Sequence, residues 1–373
     1  YAAQRGVPVV MDVTLFFLFC PVPIAGITGT RGKSTTTAVA GEILRRSTTS
    51  TVVAGNIGVS PLKDLDRITP GAPVVLELSS WQLEGLEPFH MSPRWSVLTT
   101  ILPDHLNRYP SMEAYIKAKE TIVKYQRSGD KALLPVDDPS GERFAALTKA
   151  SVRWFGVLDN PDNDRAGVFR LGEDVVLRRG DGTEVLLPWR ELGGTGDHTK
   201  RNMLAGALLA IEMGSPLSDV RAVLRSFQGL PDRLEMIHTL EGRTFVNDTT
   251  ATTPEAVIAA LRSFADRMVV LITGGTDKRL EYASLASEIR SARNLRAVFF
   301  LAGSATDKLR HNLGSDRKER SEVRSMTDAV QFAWDASQSG DVILLSPGAA
   351  SFELFRDEFD RGQQFRDAAE RVH

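Results

Sequence analysis

The segment that most constrains this 373-residue chain is 22–35, VPIAGITGTRGKST. Val22–Thr28 is apolar and β-branched enough for a buried parallel strand. Gly29-Thr30-Arg31-Gly32-Lys33-Ser34-Thr35 follows it, and Thr36–Arg46 then carries the helical apolar spacing Val39, Ile43, Leu44. A strand, a glycine loop and a helix in that order open an α/β unit. Glycines let backbone N–H groups wrap around a phosphate, and the helix N-terminus adds its positive dipole. Lys33 can reach the β- and γ-phosphates, and Ser34 can hold Mg²⁺. The standard phosphate-loop pattern wants a glycine five residues before Gly32, where Ile27 stands, so the loop is a variant. The bland alternative is a glycine turn; Lys-Ser directly after Gly32 favours phosphate.

Apolar runs recur at Thr51–Ala54, Pro73–Leu78 and Ser96–Leu102, with a helical stretch at Met112–Gln126. Such alternation predicts a doubly wound α/β sheet. Short strands at Val152–Phe155, Gly167–Leu171, Val175–Arg179 and Glu184–Pro188 read as a small β insertion or an edge to that sheet, and 199–227 reads as helical. Gln228-Gly229-Leu230-Pro231 is a hinge signal. Beyond it, strands are expected at Thr244–Val246, Met268–Ile272, Ala297–Leu301 and Val342–Leu345. Helices are expected at 254–265, 282–292, 304–313, 326–337 and 363–372.

Composition excludes several classes. Lys plus Arg total 45 against 47 Asp plus Glu, a net charge of −2, without the basic excess that nucleic-acid or membrane-surface binding needs. The single Cys20 allows no internal disulfide and fits a reducing, cytoplasmic compartment. The apolar stretch 13–27 is shorter than the roughly 20 residues of a membrane span and is interrupted by Pro21 and Pro23.

Chemistry-bearing residues collect at the ends of the expected strands. Glu77 ends one strand and is a candidate Mg²⁺ ligand beside the glycine loop; alone it would read as a solvated charge. Asp104-His105 follows another strand, and Lys119 lies on the next helix. A lone histidine is more often structural than a ligand. Asp197 can cap the helix that carries Asn202, a possible contact to nucleotide. Arg233, just past the hinge, is placed to meet phosphate or to form an ion pair. Three further βα loops stand at strand ends: 247–254, 274–278 and 346–352. Together they suggest a ligand surface.

These motifs together resemble the Mur ligases of peptidoglycan synthesis, and within them the glutamate-adding branch. The matching segments run in order: ITGTRGKST, AGNIG (54–58), ELSSWQLE, DHLNRY (104–109), GDHTKRN, GLPDRLE, NDTTATT, GGTDK and LSPGAASFELF, with Arg361-Gly362 later. The resemblance implies a P-loop-type ATPase domain at 21–229, with the β insertion, and a Rossmann-like glutamate-binding domain at 230–373. Residues 1–20 would be the remnant of a domain that binds the UDP moiety, with a last strand in RGVPVVMDVTLF (5–16) and a link at 13–20. Without the rest of that domain, poor use of the nucleotide substrate is expected.

The implied reaction is ATP-dependent amide formation between glutamate and UDP-N-acetylmuramoyl-L-alanine through an acyl phosphate. Gly29, Thr30, Gly32, Lys33, Ser34 and Thr35 would cradle phosphate. Ser34 and Glu77 would hold a first Mg²⁺; His105 and a carbamylated Lys119 would serve a second. Asn202, Arg233 and Asp248 would contact ATP. Asn56 and Ser79 would meet the muramoyl substrate. Thr250, Thr252, Lys278, Ser351 and Phe352 would line the glutamate pocket. Arg31, Thr250 and Thr253 depart from the usual Asn, Lys and Asn, so addition of L-glutamate stays open beside D-glutamate. A non-catalytic nucleotide binder is the remaining rival; two sets of metal ligands argue against it. The expected partners are small molecules, with no nucleic acid and no membrane insertion, and the chain is expected to act as a cytoplasmic monomer.

Overall fold

The computed structural model describes residues 5–7, 9–56, 60–104, 108–158, 164–180, 182–194, 196–314 and 319–372. The chain divides into two compact units between Gln228 and Gly229.

The first unit runs α1 (Asp12–Phe19), β1 (Ile24–Thr28), α2 (Lys33–Ser47), β2 (Val52–Gly55), β3 (Val74–Glu77), α3 (Ser80–Leu86), β4 (Trp95–Leu98), α4 (Met112–Lys124) and β5 (Lys131–Pro135). It continues α5 (Pro139–Ala145), β6 (Ser151–Leu158), β7 (Gly167–Leu171), β8 (Asp174–Arg179), β9 (Gly182–Pro188), α6 (Asp197–Glu212) and α7 (Leu217–Ser226). The strands form one sheet in the order β2-β3-β1-β4-β5-β6-β7-β8-β9. It is parallel from β2 to β7 and antiparallel through the β8 and β9 hairpins. Of the two expectations for the short strands from 152 to 188, an insertion or an edge, the structure has the edge: they continue the main sheet.

Both faces of this sheet are covered, and period-two alternation shows how. Ala25, Ile27, Val75 and Leu133 pack with Val39 and Ile43 of α2 and with the apolar side of α6 and α7. Their neighbours Ile24, Val74, Leu76 and Leu134 face the other way, onto Leu83, Ile122 and Phe144 of α3, α4 and α5. Strands buried on both faces read as unbroken apolar runs, which is why they were legible.

One expectation is corrected. Residues 5–16 were read as containing a strand, but Asp12–Phe19 is helical. Asp12 in the first turn suits the helix dipole. Val13 and Phe16, three apart and so on one face, are buried in the cluster that holds Leu83 and Leu86, and Thr14 Oγ1 donates to Gly85 O at 3.0 Å. The apolar stretch is a docked helix followed by β1. Strand β5 and the seven-residue helices α3 and α5 are further elements of this unit, for which the sequence raises no expectation.

The second unit runs β10 (Glu235–Leu240), β11 (Arg243–Asn247), α8 (Pro254–Arg262), β12 (Val269–Gly274), α9 (Ala283–Ser291), β13 (Leu295–Leu301) and α10 (Ser304–Leu313). Then come β14 (Glu319–Val323), α11 (Met326–Ala336), β15 (Val342–Leu345) and α12 (Glu358–Arg371). Its sheet order is β10-β11-β15-β12-β13-β14, parallel except at β10–β11. Helices α8, α9 and α10 cover one face, α11 and α12 the other. The loops leaving β11, β15 and β12 are therefore neighbours at the C-terminal edge, where open α/β sheets bind ligands.

Candidate functional site

In the first unit the site is built around the end of β1. The glycine loop bends back at Gly32, whose φ is 87°, in the left-handed region. A Cβ there would also lie 2.3 Å from Asn202 Oδ1, so helix α6 brings Asn202 against the loop. The first intrahelical bond of α2 runs from Thr36 N to Gly32 O, and no side chain caps the helix. The opening turn of Lys33, Ser34 and Thr35 carries no acid, so its N–H groups and dipole favour an anion. Thr36 Oγ1 donates to Asn202 O at 3.2 Å, joining α2 to α6. Lys33 Nζ folds back to donate to Gly29 O and Thr30 O, both at 3.1 Å.

Thr30 shapes this loop from within. Its N–H donates to Thr100 O at 2.7 Å, its Oγ1 accepts from Leu102 N at 2.9 Å and shares a hydrogen bond with Tyr115 Oη at 3.1 Å. Thr99 Oγ1 donates to Arg31 O at 2.5 Å. Burial pushes the Tyr115 hydroxyl up to about 12, so it stays protonated. The sequence reading missed Tyr115, although it lies four residues before Lys119 on the same face of α4.

Lys119 is buried at 2% exposure. Its Nζ donates to Gly29 O at 3.0 Å and to Thr28 Oγ1 at 3.4 Å, and lies 4.8 Å from the Tyr115 ring centre. Burial, then the charge of Lys33, brings its pKa down to about 7, against the pull of Asp104 and Glu77. Among the described residues no carboxylate forms an ion pair with it. Glu77 is equally buried. Its Oε1 accepts from Asn56 Nδ2 at 3.0 Å, while Oε2 has no hydrogen-bond partner among the described residues. Gly55 lets β2 approach this point: with φ at 105°, a Cβ would sit 2.2 Å from Glu77 O. An orphaned buried carboxylate oxygen, beside a lysine that can lose its charge, fits a cation ligand set. No group of three His, Cys, Asp or Glu side chains is arranged for a metal among the described residues. His105 lies outside the described residues. Ser79 caps α3 in a reciprocal box with Gln82: its Oγ accepts from Gln82 N at 3.2 Å and its N–H donates to Gln82 Oε1 at 3.0 Å.

In the second unit the loops after β11, β12 and β15 are stitched together. Gly348 N donates to Ala251 O at 2.7 Å, and Thr276 and Ala350 exchange backbone hydrogen bonds at 2.9 and 3.0 Å. Lys278 Nζ donates to Thr252 Oγ1 at 2.9 Å. Burial lowers the Lys278 pKa; the charge of Glu358 opposes this and that of Arg361 adds to it. Ser351 is buried with its Oγ unpartnered among the described residues, whereas Phe352 is exposed. Thr250 Oγ1 is committed to Asp232 O at 2.8 Å. Asp248 accepts from Ser346 Oγ at 2.8 Å and Leu234 N at 3.1 Å, and burial pushes its carboxyl up to about 7 despite Arg233 nearby. Asp232 and Leu234, flanking Arg233, hold left-handed backbone at φ 64° and 45°.

An uncapped helix opening beside a carboxylate oxygen with no partner among the described residues makes a candidate phosphate site in the first unit, and the second unit gathers Lys278 and Arg361, with Glu358, at its loops. The Mur ligase middle domain matches residues 27–210, and the Mur ligase glutamate ligase domain matches residues 232–348. The chain belongs to the Mur ligase family. It is 42% identical, over 99% of its length and 80% of the relative's, to the UDP-N-acetylmuramoylalanine–D-glutamate ligase of Roseiflexus sp. strain RS-1. It is 39% identical, with the same coverage, to the protein of that name from Salinibacter ruber. Among solved structures, MurF from Acinetobacter baumannii superposes with a TM-score of 0.69 over 94% of this chain and 77% of that one, at 18% identity. MurF from Thermotoga maritima in complex with ADP gives 0.64 over 95% and 81%, at 16% identity. These two likenesses concern the fold: a P-loop-type middle domain and a Rossmann-like C-terminal one.

Proposed function

We propose that the chain is an ATP-dependent ligase that joins D-glutamate to the carboxyl group of UDP-N-acetylmuramoyl-L-alanine, in the cytoplasmic synthesis of peptidoglycan precursors. Residues 21–229 would form the ATP domain and 230–373 the glutamate domain, in a protein acting as a monomer. The observation that carries this reading is the Gly29–Ser34 loop opening α2 beside the unpartnered Glu77 oxygen, in a chain so similar to enzymes named for that reaction.

The γ-phosphoryl group passes to a carboxylate oxygen of the muramoyl-alanine, and ADP leaves. The glutamate amine then attacks the acyl carbon, loses a proton, and the phosphate departs with the transferred oxygen. The N–H groups of the α2 opening turn and Lys33 hold the phosphates and offset the charge that spreads over the transferring group. Asn202 closes one side of the loop, and Asn56 orients Glu77. Ser34 and Glu77 would hold one Mg²⁺, and Lys119 as a carbamate would hold a second with His105. Bound there, Mg²⁺ neutralises phosphoryl charge and aligns the oxygens. A lysine whose pKa falls to about 7 is partly unprotonated at neutral pH, which is the form that adds CO₂. Arg233 and Asp248 would meet the nucleotide. Thr252, Lys278 and Ser351 would bind glutamate, with Thr250 and Phe352 beside them.

The test is phosphate release from ATP with the nucleotide substrate and D-glutamate, L-glutamate or no amino acid, with the product mass measured. Release and amide formation with D-glutamate are expected. Turnover with L-glutamate alone, or ATP binding without glutamate-dependent release, would overturn the reading.

A further inference from the structure

Arg361 is the largest fully buried side chain among the described residues, at 0% exposure. Its guanidinium makes three hydrogen bonds, all to neutral acceptors. Nε donates to Thr249 Oγ1 at 2.9 Å, Nη2 to Thr249 O at 2.8 Å and Nη1 to Ala349 O at 3.2 Å. Thr249 Oγ1 in turn donates to Glu358 O at 2.8 Å, and the charge of Glu358 favours the Arg361 cation. Among the described residues no carboxylate pairs with Arg361, although other cations of this unit have partners: Arg366 with Asp232 and Glu235, Lys308 with Asp277, Arg296 with Asp341. A guanidinium stays charged in proteins, and burying it without an acid is costly.

Its position explains what the charge can serve. Thr249 belongs to the loop after β11 and Ala349 to the loop after β15, so one planar fork ties the two loops together. Those loops carry Thr252 and the unpartnered Ser351 hydroxyl. The third loop brings Lys278, near enough to feel the charges of both Glu358 and Arg361. The cluster thus sets two cations against the one carboxylate of Glu358, and keeps a net positive charge for an anionic ligand.

We propose that Arg361 positions the amino-acid substrate: it fixes the spacing of the Thr249 and Ala349 loops, which carry Thr252 and Ser351, and leaves the cluster net positive behind them. This rests on glutamate being the acceptor. Arg361 is a positioning residue and not a catalytic one.

Steady-state kinetics of Arg361→Lys and Arg361→Met, varying each substrate in turn, tests it. Lysine keeps the charge but loses the fork, so the KM for D-glutamate rises about tenfold. Methionine loses both, and the rise is about a hundredfold. In each variant the KM for ATP stays within about threefold, because only one substrate's site is touched. If circular dichroism shows that Arg361→Met does not fold, Arg361→Lys decides alone. An unchanged KM for glutamate, or a parallel rise for all three substrates, would overturn the proposal. An unsubstituted protein with no D-glutamate-dependent turnover would instead overturn the functional reading on which it rests.

Discussion

Each unit buries a long cation that forms no ion pair with an acid among the described residues, and the two behave in opposite ways. Lys119 in the first unit is a compact ammonium on a flexible stem, and burial with Lys33 nearby brings its pKa to about 7. Arg361 in the second is delocalised, and the same kind of burial lowers its pKa only to about 10. The lysine can therefore become neutral and react, while the arginine remains a fixed charge. The first is useful where a ligand set must be made; the second where a charged substrate must be held. On the proposed function the difference divides the labour: phosphoryl chemistry around β1, amino-acid binding at the loops of the second sheet.

Several substitutions can break or sharpen this division. The largest effect is expected from Glu77→Gln, which removes the charge on a proposed metal ligand: kcat should fall on the order of 10³-fold, measured as D-glutamate-dependent phosphate release. A residual rate near the unsubstituted one would remove Glu77 from the chemistry. Gly32→Ala, which drives a Cβ into Asn202 from a left-handed backbone, should lower ATP affinity at least about tenfold, read by calorimetry.

The pH dependence of stability should differ in sign between the units. Between pH 7 and 10.5 the unfolded chain holds a proton at Lys119 that the folded one lacks. The first unit should thus gain stability as pH rises through that window. Asp248 goes from 3.8 to about 7 on folding, so between those values the folded chain holds the extra proton. The second unit should lose stability as pH rises from 3.8 to 7. Hydrogen exchange resolved by unit, in CO₂-free buffer, measures both slopes. Lys119→Met should flatten the first and Asp248→Asn the second, each leaving the other unchanged. The smallest effect is expected from Ser79→Ala, which removes the α3 cap at about 1 kcal/mol, seen in the denaturation of the first unit.

The sequence carried the first unit's site better than the second's. The proposed phosphate binding at Gly29–Ser34 depends on local spacing: one strand, one loop, one helix start. Strands buried on both faces announced themselves as apolar runs. What escaped was what depends on contacts distant in sequence. Tyr115 gains its meaning only when Thr30 meets it from the β1 loop, and Arg361 only when Thr249 and Ala349, more than a hundred and about ten residues away, converge on it. Residues 5–16 misled because Val9, Val10, Val13 and Phe16 suit either element; only the packing of Val13 and Phe16 against α3 selects the helix. Ser79 and Thr250 were read as substrate contacts, and the structure shows their hydroxyls engaged by Gln82 and Asp232.

The most direct test of the division is positional isotope exchange with ATP carrying ¹⁸O in the β–γ bridge, with the nucleotide substrate present and glutamate absent. Acyl-phosphate formation frees ADP to rotate its β-phosphate before reversal, so the label scrambles into non-bridge positions. The account predicts scrambling without glutamate, preserved in Arg361→Met and abolished in Glu77→Gln. Scrambling that requires glutamate, or that is lost with Arg361, would contradict it.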